Sequence, residues 1–235
     1  MACFVLVHGA WEAGWIWRDL ARILRERGHD VFTPSLTGLG ERAHLMGPGV
    51  DLETHVADLV NLLESEDLKD VTLVGHSYGG MPVGGAADRA PSRVAATIYL
   101  DAFIPESGKS MLDFVPPERA EGFKAMAKDS GRGLAIPVLP AVDWDVADPA
   151  HVQMLEALSV PHPLATMTQS LRLAGDALAR RGAFILAKSR RVTPFPVFAE
   201  KARAVGWPVY ELATHHFTML SMPRETADIL VRHAA

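Results

Sequence analysis

Six short β-branched runs recur along the chain, separated by longer stretches, several with helical spacing. They are "CFVLV" (3–7), "VFT" (31–33), "DVTLVG" (70–75), "AATIYL" (95–100), "AFILA" (183–187) and "PVYEL" (208–212). Several are apolar on both faces, which fits buried strands of a parallel sheet rather than half-exposed antiparallel ones. Between them, 17–28 sets Leu20, Ile23 and Leu24 at helical spacing and stops at a glycine. The stretch 51–65 repeats the pattern with Leu52, Val56, Leu59, Val60 and Leu63. A third, 223–233, opens on a proline suited to a first helical position. This alternation predicts an α/β fold with a mostly parallel, doubly wound sheet of about six strands.

One stretch breaks the rhythm. Residues 105–181 are rich in Pro, Met and Ala, with helical patches and no convincing strand. That is far longer than the usual link between elements in such folds. The expectation is one structural domain, with a core built from 1–104 and 182–235 and a helical cap inserted at 105–181. A chain of 235 residues, 49% hydrophobic, can bury a core of that size.

Charge and cysteine usage exclude several functions. The formal charge of −5 offers no basic face, so nucleic acid is not an expected partner. The single cysteine, Cys3, cannot form an intrachain disulfide and suits a reducing compartment. The apolar run at 3–7 is too short for a signal peptide, and no run reaches the roughly 18 residues of a membrane span. The expectation is a soluble, cytoplasmic protein, with a homodimer left open.

The chemistry is concentrated in "Gly75-His76-Ser77-Tyr78-Gly79", which follows an apolar strand and precedes a helix-like segment. A tight strand-to-helix turn lifts a serine hydroxyl above the sheet, and small flanking residues let the backbones pack that closely. Ser77 is therefore the expected nucleophile, and Gly80 permits a second close approach. The N-terminus of the following helix also favours developing negative charge. A serine needs a base, and "ELATHHFTMLSMP" (211–223) offers His215 and His216 after the last strand. The remaining histidines, His29, His44, His55, His151, His162 and His233, show no ligand-like spacing, and neither a metal nor a cofactor is expected. His8 reads as support for the first turn, and His76 as a packing residue of the elbow.

With these residues in view, the chain resembles the α/β-hydrolase superfamily, and more narrowly the branch of plant methylesterases, hydroxynitrile lyases and similar bacterial esterases. The resemblance rests on "FVLVHGAWEAGWIW" (4–17), "LVGHSYGG" (73–80) and "HFTMLSMP" (216–223), covering most of the core and little of the cap. The family's C-terminal motif puts the base at His216 and leaves His215 as its rim neighbour. It also puts one oxyanion donor at the backbone of Ala10, beside the amide of Tyr78 after the nucleophile. Trp11, Trp144 and Phe217 are the expected substrate-binding side chains.

The acid departs from the family pattern. Most members carry it after the strand before the last, but the loop "KSRRVTPFPVFAEK" holds no Asp, and its first acid is Glu200. Asp101, ending the apolar strand "AATIYL", is the expected substitute, with Glu200, Asp143, Asp145 or an acid-free dyad as alternatives. The lyases resembling this chain carry Thr where Gly9 stands and Lys where Phe217 stands. Neither residue here can bind a cyanohydrin hydroxyl or stabilise departing cyanide. The expected function is a serine carboxylesterase acting on a small or medium apolar or aryl ester. A non-hydrolytic ligand binder or natural-product enzyme on the same fold is the alternative.

Overall fold

The structure is a computed structural model that describes residues 1–189 and 193–234. Its strands are β1 (Cys3–Val7), β2 (Asp30–Phe32), β3 (Val71–His76), β4 (Val94–Leu100), β5 (Ala135–Ile136), β6 (His162–Pro163), β7 (Gly182–Ala187) and β8 (Val209–Leu212). Six form the main sheet, in the order β2-β1-β3-β4-β7-β8 and parallel throughout. Each expected strand is present, with ends shifted by a residue or so.

The sheet is buried on both faces, as its sequence requires. Successive residues of β1 enter opposite layers: Val5 and Val7 join one apolar cluster, Phe4 and Leu6 the other. Helices α1 (Arg18–Glu26), α2 (Leu52–Ser65) and α3 (Gly80–Arg89) follow β1, β2 and β3 in turn. On the first face α2 contributes Leu52, Val56, Leu59 and Leu63, and α3 contributes Met81 and Val83. On the second, α1 packs Leu20, Ile23 and Leu24 against the C-terminal helix. Each such fully buried side chain contributes about 1.5–3 kcal/mol. Asp51 caps α2, its Oδ1 accepting the Thr54 amide at 2.9 Å, and Pro223 opens the last helix.

The segment between β4 and β7 carries α4 (Pro117–Asp129), α5 (Pro149–Leu158) and α6 (Leu164–Thr168). It also contains a strand pair that the sequence did not announce: β5 and β6 pair antiparallel, Ala135 with Pro163 and Ile136 with His162. After β7 come α7 (Phe195–Ala204), β8, α8 (Thr218–Ser221) and α9 (Pro223–His233). No helix among the described residues is long and apolar enough to cross a membrane.

In parallel sheets of this kind ligands bind beyond the carboxyl ends of the strands, where the strand order reverses. Here β1 is flanked by β2 and β3, and the chain leaves it through His8–Trp11. The loops after β1, β3, β4 and β8 meet at that end.

Candidate active site

β3 is buried over its whole length and delivers Ser77 at its carboxyl end. His76 is still extended, whereas Ser77 has φ +53, the left-handed region that a residue with a Cβ seldom occupies. The strain belongs to the serine and not to its glycines, which serve another purpose. A Cβ on Gly79 would lie 2.5 Å from the His8 carbonyl oxygen, so β1 and the start of α3 can approach this closely only without one. Ser77 is then carried into α3 by one 3₁₀ turn, and its carbonyl accepts the Phe103 amide at 3.1 Å.

β4 and the loop after β8 bring Asp101 and His216 together. Asp101 Oδ2 lies 2.6 Å from His216 Nδ1, and both side chains are essentially inaccessible to water. The second carboxylate oxygen, Oδ1, accepts the Ala187 amide at 3.1 Å, at the end of the intervening strand β7. The Asp101 amide donates to Ile185 at 2.7 Å, and its φ of +44 turns the carboxylate off the strand. A carboxylate there holds the proton on Nδ1, leaving the basic lone pair on Nε2. The His216 ring lies nearly parallel to those of Phe195 and Trp144, at 5.2 and 5.3 Å between centroids. Of the other acids, Glu200 is exposed on α7 and ion-paired with Arg203, and Asp143 and Asp145 are exposed in the turn after β5.

His215 sits half-buried beside His216, its Nδ1 accepting the Phe217 amide at 3.2 Å. Burial, then the neighbouring His151, lowers its pKa.

The loop after β1 is pinned by polar groups. His8 Nε2 accepts the Leu36 amide at 3.0 Å, so Nδ1 carries the proton and donates to the Gly9 carbonyl at 2.8 Å. Burial depresses the His8 pKa to about 4, which keeps this neutral tautomer in place. His76 is more than a packing residue. Its Nε2 faces the His216 carbonyl at 3.2 Å and must donate, while Nδ1 meets Glu12 Oε2 at 3.2 Å. The same Glu12 oxygen accepts the Gly9 amide at 3.0 Å. Glu12 thus ties together the first loop, the elbow and, through His76, the loop of His216. The sequence offered one signal for it, a lone acid amid "GAWEAGW", and that signal has no periodicity to interpret.

Ala10, Ser77 and Tyr78 line the floor of a cavity of about 200 Å³. Its walls are Trp11, Phe103, Phe123, Trp144 and Phe195 with Met111 and Met167, and Arg119 is its one charged lining residue among the described residues. Trp11 and Trp144 thus line the cavity that Ser77 floors. Phe217 does not: it is buried against His76 and His216 and faces a narrow crevice behind the Trp11–Trp144 wall. A side chain directly after His216, at the start of a short helix, is turned inward and away from the cavity. The Tyr78 side chain is also buried beneath the floor, its hydroxyl bonded to His55 Nδ1 at 2.9 Å. His55 Nε2 donates to the Thr37 carbonyl at 2.8 Å, which fixes Nδ1 as the acceptor. Burial raises the Tyr78 pKa and depresses that of His55 to about 4.

Residues 4–229 match the model of the alpha/beta hydrolase family. A carbendazim hydrolyzing esterase from Nocardioides sp. is 43% identical over 98% of both chains. Salicylic acid-binding protein 2 of Nicotiana tabacum is 38% identical over 44% of this chain and 40% of its own length. Among solved structures, an extracellular alpha/beta-hydrolase from a Paenibacillus species superposes with a TM-score of 0.87 at 25% identity. That match covers 100% of this chain and 99% of the other.

Proposed function

This chain belongs to the alpha/beta hydrolase family, and on that premise we propose that it cleaves a small or medium apolar or aryl ester through Ser77, His216 and Asp101. That it is an esterase-type hydrolase follows from its identity to an esterase over nearly the whole of both chains. The observation that carries the residue assignment is the buried 2.6 Å contact between Asp101 and His216 beside a cavity floored by Ser77.

The steps follow from the groups present. His216 Nε2 takes the Ser77 proton as Oγ attacks the ester carbonyl, and Asp101 stabilises the imidazolium that forms. The backbone amides of Ala10 and Tyr78 donate hydrogen bonds to the developing oxyanion. His216 then protonates the departing alcohol, and in the second half activates the water that releases the acyl group. The residues 105–181 act as a cap, whose Phe123, Trp144 and Met167 line the cavity with apolar surface. Such a wall favours an apolar acyl or aryl group over a charged or polymeric one.

The test is turnover of p-nitrophenyl esters, methyl aryl esters and carbendazim by wild type, Ser77→Ala and Asp101→Asn. Ser77→Ala is expected to lose at least about 10³-fold in kcat. Asp101→Asn is expected to lose about 10²–10⁴-fold, since an amide cannot hold the same tautomer and charge. A wild type that turns over none of them, and forms no Ser77 adduct with a fluorophosphonate, would replace this reading with ligand binding without chemistry.

A further inference from the structure

Trp11 follows Ala10 at the end of the first loop and has φ +67. A bulky residue seldom occupies the left-handed region and persists there only where its surroundings hold it. What holds Trp11 is the cap. Its backbone amide donates to His162 Nδ1 at 3.3 Å. Its carbonyl accepts the Val160 amide at 3.0 Å, and its indole Nε1 donates to the Ile136 carbonyl at 3.1 Å. Ile136 and His162 are partners in the β5–β6 ladder, so the two-residue strands form a bracket around one side chain of the core.

The tautomer of His162 is determined by its other nitrogen. The Thr166 hydroxyl donates to the Pro163 carbonyl at 2.8 Å, so at 2.8 Å from that oxygen His162 Nε2 must be the donor. Nδ1 then carries the lone pair that the Trp11 amide needs. The ring is fully buried, and desolvation keeps it neutral, with its pKa well below the ordinary value.

The consequence falls on Ala10. The Gly9–Ala10 peptide is planar, so anchoring the Gly9 carbonyl on His8 points the Ala10 N–H the opposite way. The next peptide, Ala10–Trp11, is anchored through its N–H on His162. Ala10 is thereby fixed on one side by the core and on the other by the cap. We propose that His162 is a positioning residue for ester hydrolysis, holding the Ala10 amide in the oxyanion hole through Trp11, so that the cap assembles the hole as well as covering the cavity. This rests on the esterase reading above.

The experiment compares wild type with His162→Leu, which removes the acceptor; His162→Asn, whose Oδ1 takes the place of Nδ1; and Val160→Pro, which removes the donor to the Trp11 carbonyl from a half-buried position. Three quantities are measured: kcat and KM on the best p-nitrophenyl ester, inhibition by a trifluoromethyl ketone that forms a tetrahedral adduct, and the thermal midpoint. His162→Leu is expected to lose roughly ten- to a hundredfold, short of or near the loss of an oxyanion donor itself, in kcat and not in KM. Ketone inhibition should weaken in parallel, His162→Asn should recover to within about threefold of wild type, and Val160→Pro should lose several-fold in kcat. If His162→Leu does not fold, His162→Asn and Val160→Pro decide alone. A His162→Leu enzyme within about twofold of wild type, a His162→Asn no better than Leu, or losses confined to KM would overturn the inference while leaving the esterase intact. A wild type inert to both ester and ketone would overturn the esterase reading, and this inference with it.

Discussion

Glu12 is a carboxylate with almost no contact with water, and it has two partners, the Gly9 amide and His76 Nδ1. Removing it leaves a buried donor on one side and an imidazole nitrogen on the other, each costing about 1–3 kcal/mol. Glu12→Ala is therefore expected to destabilise the fold by about 3 kcal/mol and to lower kcat about tenfold, since Gly9 precedes the proposed oxyanion donor Ala10. Glu12→Gln retains an oxygen for Gly9 and should recover most of both losses. Urea unfolding and steady-state kinetics on the two variants provide the comparison, together with a double-mutant cycle against His76→Ala. Additive losses in that cycle would mean that Glu12 and His76 act independently, contrary to their geometry. The same contrast explains what could be read from the sequence. Ser77, His216 and Asp101 each end or follow a strand whose apolar run announces it. Glu12 and His162 make their contacts with partners 64 and 151 positions away, His76 and Trp11, and no local pattern records such distances.

At the scale of elements, the elbow depends on how closely β1 and α3 can approach. An added Cβ on Gly79 would sit 2.5 Å from the His8 carbonyl and 2.7 Å from that of Val7, both backbone atoms that cannot swing aside. Gly79→Ala is expected to cost about 2 kcal/mol in stability and to lower kcat by pushing the first loop from Ser77. Gly122, in the interior of α4 with nothing within 4 Å of an added Cβ, is the matched control: Gly122→Ala should stabilise by about 0.5–1 kcal/mol with kcat unchanged. Equal thermal midpoints for the two variants would show that the close approach at the elbow carries no constraint. Elements of the main sheet were legible for a related reason. A parallel strand buried on both faces must be apolar at nearly every position, and that requirement is visible in the sequence without knowledge of its neighbours. β5 and β6 offer no such requirement. Two residues each, Ala-Ile against His-Pro, are too few to show a period, and their pairing is decided by tertiary contacts around Trp11.

At the scale of the whole molecule, the carboxyl end of the sheet rests on a layer of neutral histidines. His8 and His55 have pKa values depressed from 6.5 to about 4, and His162 lies well below the ordinary value, in each case chiefly through burial. Protonating one also disfavours protonating the others: His55 lowers His8, and both lower His162. Unfolding exposes all three to water, where each regains an ordinary pKa near 6.5. Between about pH 4 and 6.5 the unfolded chain therefore binds more protons than the folded one, and stability rises with pH across that window. The stabilisation is fully present above about pH 6.5 and is lost as pH falls toward 4. Each histidine contributes a slope of up to about 1.4 kcal/mol per pH unit, so three give roughly 4 kcal/mol per unit at mid-window. Against a typical total of about 5–15 kcal/mol, that is enough to unfold a domain within two pH units. The urea midpoint is expected to be flat from pH 8 to 7, then to fall steeply between 6.5 and 5, and His55→Asn should reduce the slope by about a third. A midpoint unchanged between pH 7 and 5 would mean that these histidines take up protons without unfolding. The bonds that fix the His8 and His162 tautomers exclude this, because the Leu36 and Trp11 amides would then face a protonated nitrogen. Two of the three, His8 and His162, hold the first loop at neutral pH, and the same two make the fold sensitive to acid.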